Sequence, residues 1–152
     1  MTRATVLLAT TALSLLLSSC TEDIVGDDLF GTGTMTATID GQPWEATSII
    51  AVRTNLAATV SGVDSDGVTV RLFFEPGPSD SYPVDENTPN ELSVTDGGVT
   101  WSASETGGSG TITLSTLTAA RGVGTFSFTA LVVGGSGAPQ RAVTAGAFDI
   151  RW

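Results

Sequence analysis

Apolar and polar residues alternate one by one through most of this chain, and a period of two belongs to strands, not helices. Met35, Ala37 and Ile39 alternate with Thr34, Thr36 and Thr38, and Val68, Val70, Leu72 and Phe74 line one face of a second segment. Val99, Trp101 and Ala103 alternate with Thr100, Ser102 and Ser104. Ile112 and Leu114 do so among Thr111, Thr113 and Ser115, and Phe126, Phe128 and Ala130 among Thr125, Ser127 and Thr129. Threonine suits the outer face, because its β-branch fits a pleated, half-exposed surface. No window carries helical spacing with caps. The pattern predicts an all-β fold, a single antiparallel β-sandwich or flattened barrel of eight to ten strands.

Other segments are less regular. Trp44 to Arg53 reads as one strand, with Trp44, Ala46, Ser48, Ile50 and Val52 on one side. Leu56 to Val63 reads as another, closed by an Asp64-Ser65-Asp66-Gly67 turn. Asp40-Gly41, between two alternating runs, predicts a hairpin turn that needs positive φ. Near the end the phase changes: Val143 and Ala145 share one parity, Phe148, Ile150 and Trp152 the other. A β-bulge at Gly146 would bring both halves onto the core. Glu75 to Pro89, with four of the six prolines, is the longest irregular stretch.

The first nineteen residues read as a lipoprotein signal peptide. Arg3 supplies the positive region, and Ala4 to Leu17 form a run of fourteen residues that closes on Leu17-Ser18-Ser19-Cys20. That run is shorter than the ~20 residues needed to span a bilayer. Leu-Ser-Ser-Cys resembles the bacterial lipobox, so Cys20 is expected to be lipidated and to begin the mature chain. Residues 20–33, with four acids and three glycines, then form a tether, and residues 34–152 form the domain. The protein is expected to be exported and anchored by its acyl chains, palmitate among them, in the cell envelope at the outer membrane.

Composition removes chemistry. All six basic residues are arginines, there is no lysine or histidine, and Cys20 is the only cysteine. No imidazole base, His-ligated metal, Schiff base or disulfide is available. Loss of Arg3 leaves five arginines against sixteen acids, a surface that disfavours both nucleic acid and anionic lipid head groups. The membrane is then reached only through the anchor at Cys20.

Carboxylates leave one enzymatic route, glycoside hydrolysis by a pair of acids. Asp64, Asp66, Asp80, Asp85, Glu86 and Asp96 fall at turns, however, where solvated carboxylates are ordinary. Asp64-x-Asp66-Gly67 has the flavour of a calcium loop but lacks the further acids of one, and a hairpin turn accounts for it. Trp44, Trp101 and Trp152 sit in phase with core residues and read as packing, not as sugar-stacking platforms. The pattern Gly-x-Gly-Thr-apolar at Gly31, Gly108 and Gly122 precedes strands each time, where a phosphate loop needs a helix. No catalytic, cofactor-binding or metal-binding residue is assigned. The reading is a non-catalytic ligand-binding or structural domain for a glycan, peptide or envelope protein; the alternative is a carboxylate-dependent hydrolase of envelope or extracellular glycans.

Ala37-Thr38-Ile39-Asp40-Gly41-Gln42-Pro43-Trp44 resembles the A-x-I-D-G-x-x-W opening of a family of small bacterial envelope lipoproteins of unknown function. Gly124-Thr125-Phe126-Ser127-Phe128-Thr129-Ala130 and Gly146-Ala147-Phe148-Asp149-Ile150 resemble its closing strands. The resemblance implies a lipid-anchored β domain and carries over no activity, cofactor or catalytic residue.

Overall fold

Alternation sorts each strand into an inward apolar row and an outward hydroxylated row. A computed structural model of the chain describes residues 31–134 and 136–152, all strand, turn or loop. Eleven antiparallel strands form one sheet. The first three are β1 (Thr32–Ile39), β2 (Gln42–Glu45) and β3 (Ser48–Arg53), followed by β4 (Ala58–Val63), β5 (Thr69–Phe74) and β6 (Ser81–Val84). Next come β7 (Glu91–Asp96), β8 (Val99–Ser102) and β9 (Ser109–Leu117), and the two longest, β10 (Arg121–Gly134) and β11 (Gln140–Arg151), close the chain. The main path runs β2-β1-β11-β10-β8-β7-β5-β4-β3. β9 branches off β10, and β6 pairs with β9.

The branch point is β10. One edge pairs with β11 along most of its length, while the other takes β9 over Gly122–Thr129 and β8 over Leu131–Gly134. The sheet also bends back on itself. Ala46 N–H donates to Met35 O of β1 at 2.9 Å, and Thr47 N–H donates to Val63 O of β4 at 2.8 Å, so two residues bridge the ends of the path. A Cβ on Gly62 of β4 would lie 2.8 Å from the Trp44 ring and 2.9 Å from Met35 Sδ. The inner faces therefore meet as a sandwich or flattened barrel. Phe74, Met35, Leu72, Leu92, Ile112 and Ile150 are its largest fully buried side chains.

Three sequence expectations are corrected. The strand count is eleven, not eight to ten, because β2, β6 and β7 add to the eight segments whose alternation the sequence shows. Trp44 to Arg53 is two strands: the break at Ala46-Thr47 turns the phase, so Ile49 and Ala51 are buried while Ile50 and Val52 face outward. Glu75–Pro89 is not wholly irregular, since it contains β6. That strand holds Pro83 and pairs only with β9; an edge strand tolerates proline's missing donor.

The bulge is expected at Gly146 and lies one residue ahead of it, and Ala145, expected on the core face, is outside. Phe126 faces Gly146, but Phe128 faces Val143; on the other side Thr36 faces Ala147 and Thr38 faces Thr144. β11 thus carries one extra residue against both neighbours. The extra residue is Ala145, exposed and at φ +50°, so Val143, Phe148 and Ile150 all reach the core. β1 begins at Thr32, two residues ahead of Thr34.

The Asp40-Gly41 turn has φ values of +50° and +83°, the two positive angles a primed hairpin turn requires. Gly41→Val should cost about 1–3 kcal/mol, read from the denaturation midpoint. A Cβ on Gly146 would lie 2.5 Å from the Phe126 ring and from Phe126 O. Gly146→Ala should therefore lower stability by about 1–3 kcal/mol, and a midpoint within error of wild type would contradict the tight contact.

Candidate functional site

Asp40 and Asp96 meet on the Arg141 guanidinium, and several carboxylates have a visible task in the fold. Asp64 Oδ1 accepts from the N–H groups of Asp66 (2.9 Å) and Val68 (2.8 Å), which makes this segment a turn. Asp85 Oδ1 accepts from Asn87 N–H at 2.7 Å in the loop after β6. Asp40 Oδ1 accepts from Ala142 N–H at 2.8 Å, tying the first hairpin turn to β11. Among the described residues no three metal-ligating side chains converge.

The tryptophans pack as expected, two of them fully. Trp44 and Trp101 are buried, with Nε1 donating to Val68 O (3.2 Å) and Ala138 O (2.7 Å) respectively. Trp152 packs partly buried against the core, and its Nε1 meets no acceptor among the described residues. The second glycine of the motif lies inside a strand each time, at Gly33, Gly110 and Gly124. At Gly110 a Cβ would lie 2.6 Å from Phe128 Cβ, so the pattern serves close strand contact.

Two arginine centres stand at opposite ends of the β10–β11 hairpin. At the loop end, the Arg141 guanidinium lies 4.4 Å from the Trp101 ring centroid, Nη2 donates to Asp96 Oδ2 at 2.7 Å, and Nε lies 3.5 Å from Asp40 Oδ2. One side chain, only 22% exposed, thereby joins the turn after β1, the end of β7 and the start of β11.

At the other end Arg53, Arg121 and Arg151 gather around the turn between β9 and β10. Arg53 Nη1 donates to Thr118 O at 2.5 Å, and Arg121 lies directly opposite Arg151 across β10 and β11. Asp149 grips Arg121 with both carboxylate oxygens, Oδ1 to Nε at 2.9 Å and Oδ2 to Nη2 at 2.6 Å. That hydrogen bonding holds the Asp149 carboxyl below its ordinary range, with the charges of Arg121 and Arg151 acting the same way. Arg121 is raised by the same bond. A lowered carboxylate pKa adds stability that is present at neutral pH and lost as acid protonates the group. The pair is half exposed, so solvent screens it. Thr32, Gly33, Thr34, Arg121, Asp149 and Arg151 line an open cleft of about 380 Å³.

Clefts of similar volume lie along the outer faces of β9, β10, β11 and β1, with threonines and serines that the alternation placed outward making up about half of their lining. Residues 31–149 match the model of a family described as a domain of unknown function, DUF6252. The chain belongs to this family. The match begins at the residue that precedes β1 and takes in all of the sheet but the end of β11. No curated protein and no solved structure matches the chain.

Cys20, the one modification site expected from the sequence, lies outside the described residues, as do the signal segment and residues 21–30. Sequence reasoning did not single out either arginine centre of this DUF6252 domain. Arg121 and Arg151 are thirty residues apart, and only the hairpin register, bulge included, makes them neighbours.

The Arg141 centre yields a prediction. Arg141→Ala removes a cation–π contact and two carboxylate partners and should cost about 1–2 kcal/mol, with altered Trp fluorescence. Arg141→Lys, which keeps the charge but not the planar stack, should recover only part of that stability.

Proposed function

We propose that this protein is a lipid-anchored component of a bacterial cell envelope, sited at the outer membrane, whose β domain works by binding or by structural interaction and not by catalysis. The observation that carries the reading is Cys20. It is the only cysteine, it ends a short apolar run behind Arg3, and it stands eleven residues before Gly31, where the sheet's first strand is about to begin. A chain so arranged needs no membrane-spanning element of its own; acyl chains hold it, each buried methylene adding ~0.8 kcal/mol.

The non-catalytic part rests on what the acids already do. Asp40, Asp64, Asp85, Asp96 and Asp149 each close a turn or hold an arginine. A carboxylate committed to a turn or an ion pair is a poor general acid, a role that needs a raised pKa. A sheet with polar outer faces and Gly-, Pro- and Ser-rich loops (residues 75–80, 85–90, 103–108 and 136–139) suits recognition of a glycan, a peptide or another envelope protein.

Metabolic labelling with a fatty acid should mark the wild-type chain and leave Cys20→Ala unlabelled; equal labelling of both removes the anchor. A thermal-shift screen of glycans, peptides and cations should find a ligand that raises the melting temperature. Glycan hydrolysis lost on replacing a single Asp or Glu, with the fold intact, would make the protein an enzyme instead.

A further inference from the structure

In a chain of formal charge −10, three of the five arginines in the described residues converge on one turn. Arg53 donates to Thr118 O, the Thr118 Oγ1 accepts from Arg121 N–H at 3.0 Å, and Arg151 faces Arg121 across the strand pair. Like charges directly opposite each other on neighbouring strands destabilise a sheet. Asp149 offsets part of this through its two bonds to Arg121. Arg121 Nη1 and the whole Arg151 guanidinium make no hydrogen bond or ion pair among the described residues.

We infer that the cleft between β1, β11 and β10 is an oxyanion site for a phosphate group. Arg151 and Arg121 Nη1 supply the positive charge, and the Thr32 and Thr34 hydroxyls on the adjoining strand line the same cleft and can donate to further oxygens. A guanidinium offers a planar fork of donors suited to phosphate, and two of them side by side can donate to different oxygens of one group. Asp149 sets the limit: by holding Arg121 it leaves the cleft one net positive charge, so affinity is modest and a like-charged carboxylate stands beside the ligand.

Although the chain as a whole repels anionic head groups, the location of this cleft favours a lipid head group as the source of that phosphate. Gly31 abuts this end of the sheet, its Cβ position lying 2.9 Å from Arg151 O. The chain therefore enters the domain beside the arginines. From Cys20 to Phe30 is eleven residues, a reach of at most about 36–40 Å at full extension. An anchored domain thus keeps this cleft close to the bilayer surface, while Asp40, Asp64, Asp66 and Asp96 crowd the turns at the opposite end of the strands. This placement rests on the anchor proposed above; the phosphate site itself does not.

The test follows the arginine Nε–Hε resonances of the full chain by NMR while inorganic phosphate is added. Saturable shifts of Arg151 and Arg121 are expected on the order of 10 mM or below, with Arg71, on β5, unmoved. Arg151→Gln should abolish the shift at Arg121. Asp149→Asn, which frees Arg121, should tighten binding by up to about tenfold; a site that weakened instead would mean that Asp149 and Arg121 only brace the sheet. The absence of any saturable shift, or equal drift of all the arginines, overturns the proposal while leaving Cys20 labelling untouched. Phosphatidylglycerol vesicles should move the Arg151 signal and phosphatidylcholine vesicles should not, which assigns the phosphate to anionic lipid; response to free phosphate alone assigns a soluble phosphate ligand to the same site.

Discussion

The fourteen residues of β10 must satisfy three neighbours: β11 along one edge, β9 and then β8 along the other. Backbone donors and acceptors that a fold buries cannot be left unpaired without a cost of a few kcal/mol each, so the strand's length dictates what must lie beside it. Two branches leave from that second edge. One, through β8, carries the meander back to β3; the other, through β9, ends at β6. Because both branches turn their apolar rows inward, Phe74 of β5 comes to rest against Tyr82 of β6 with ring centroids 5.2 Å apart. The core is made by strands that are distant in the pairing order but face each other across the bend.

Electrostatics is allotted in the same economical way. Without lysine or histidine, every cation is a guanidinium, fixed in charge and planar in its donors. Arg141 spends that geometry on an aromatic ring and two carboxylates and so fastens three turns together. Among the described residues Arg121 is held by one carboxylate and Arg151 by none, an asymmetry that separates a bracing arginine from one with donors to spare. Sheet edges are handled by sequence as well. Pro43 and Pro83 both fall on strands with a single neighbour, β2 and β6, where a proline discourages pairing with another chain.

Much of this was legible in the residues. Alternation located the principal strands, Asp40-Gly41 located a turn, and the parity change after Val143 located the bulge, because each is a local signal with a local cause. β7 stayed hidden although Leu92 and Val94 alternate within it, because its run of apolar residues is only two long; the rest of what stayed hidden is long-range. The break at Ala46-Thr47 carries no glycine or proline and exists because two backbone N–H groups reach carbonyls on β1 and β4. β6 was hidden by Pro83, a residue that argues against a central strand but not against an edge. The fork at β10 cannot be seen in any window of sequence, and the Arg121–Arg151 pairing depends on a register fixed from outside the hairpin loop.

The extra residue at Ala145 has a consequence for how this loop can vary. Nearer the loop than the bulge, Leu131 faces Gln140 and Phe128 faces Val143; carried on unbroken, that register would set Arg121 against Ile150. The bulge advances it by one, pinned by Phe126 over Gly146 and by β1 on the opposite flank. Positions beyond it are therefore insulated from whatever happens at the hairpin tip. A change at the loop end, where Ala138 O takes the Trp101 Nε1 hydrogen, can therefore shift that end of the hairpin without moving the alignment of the arginines at the other.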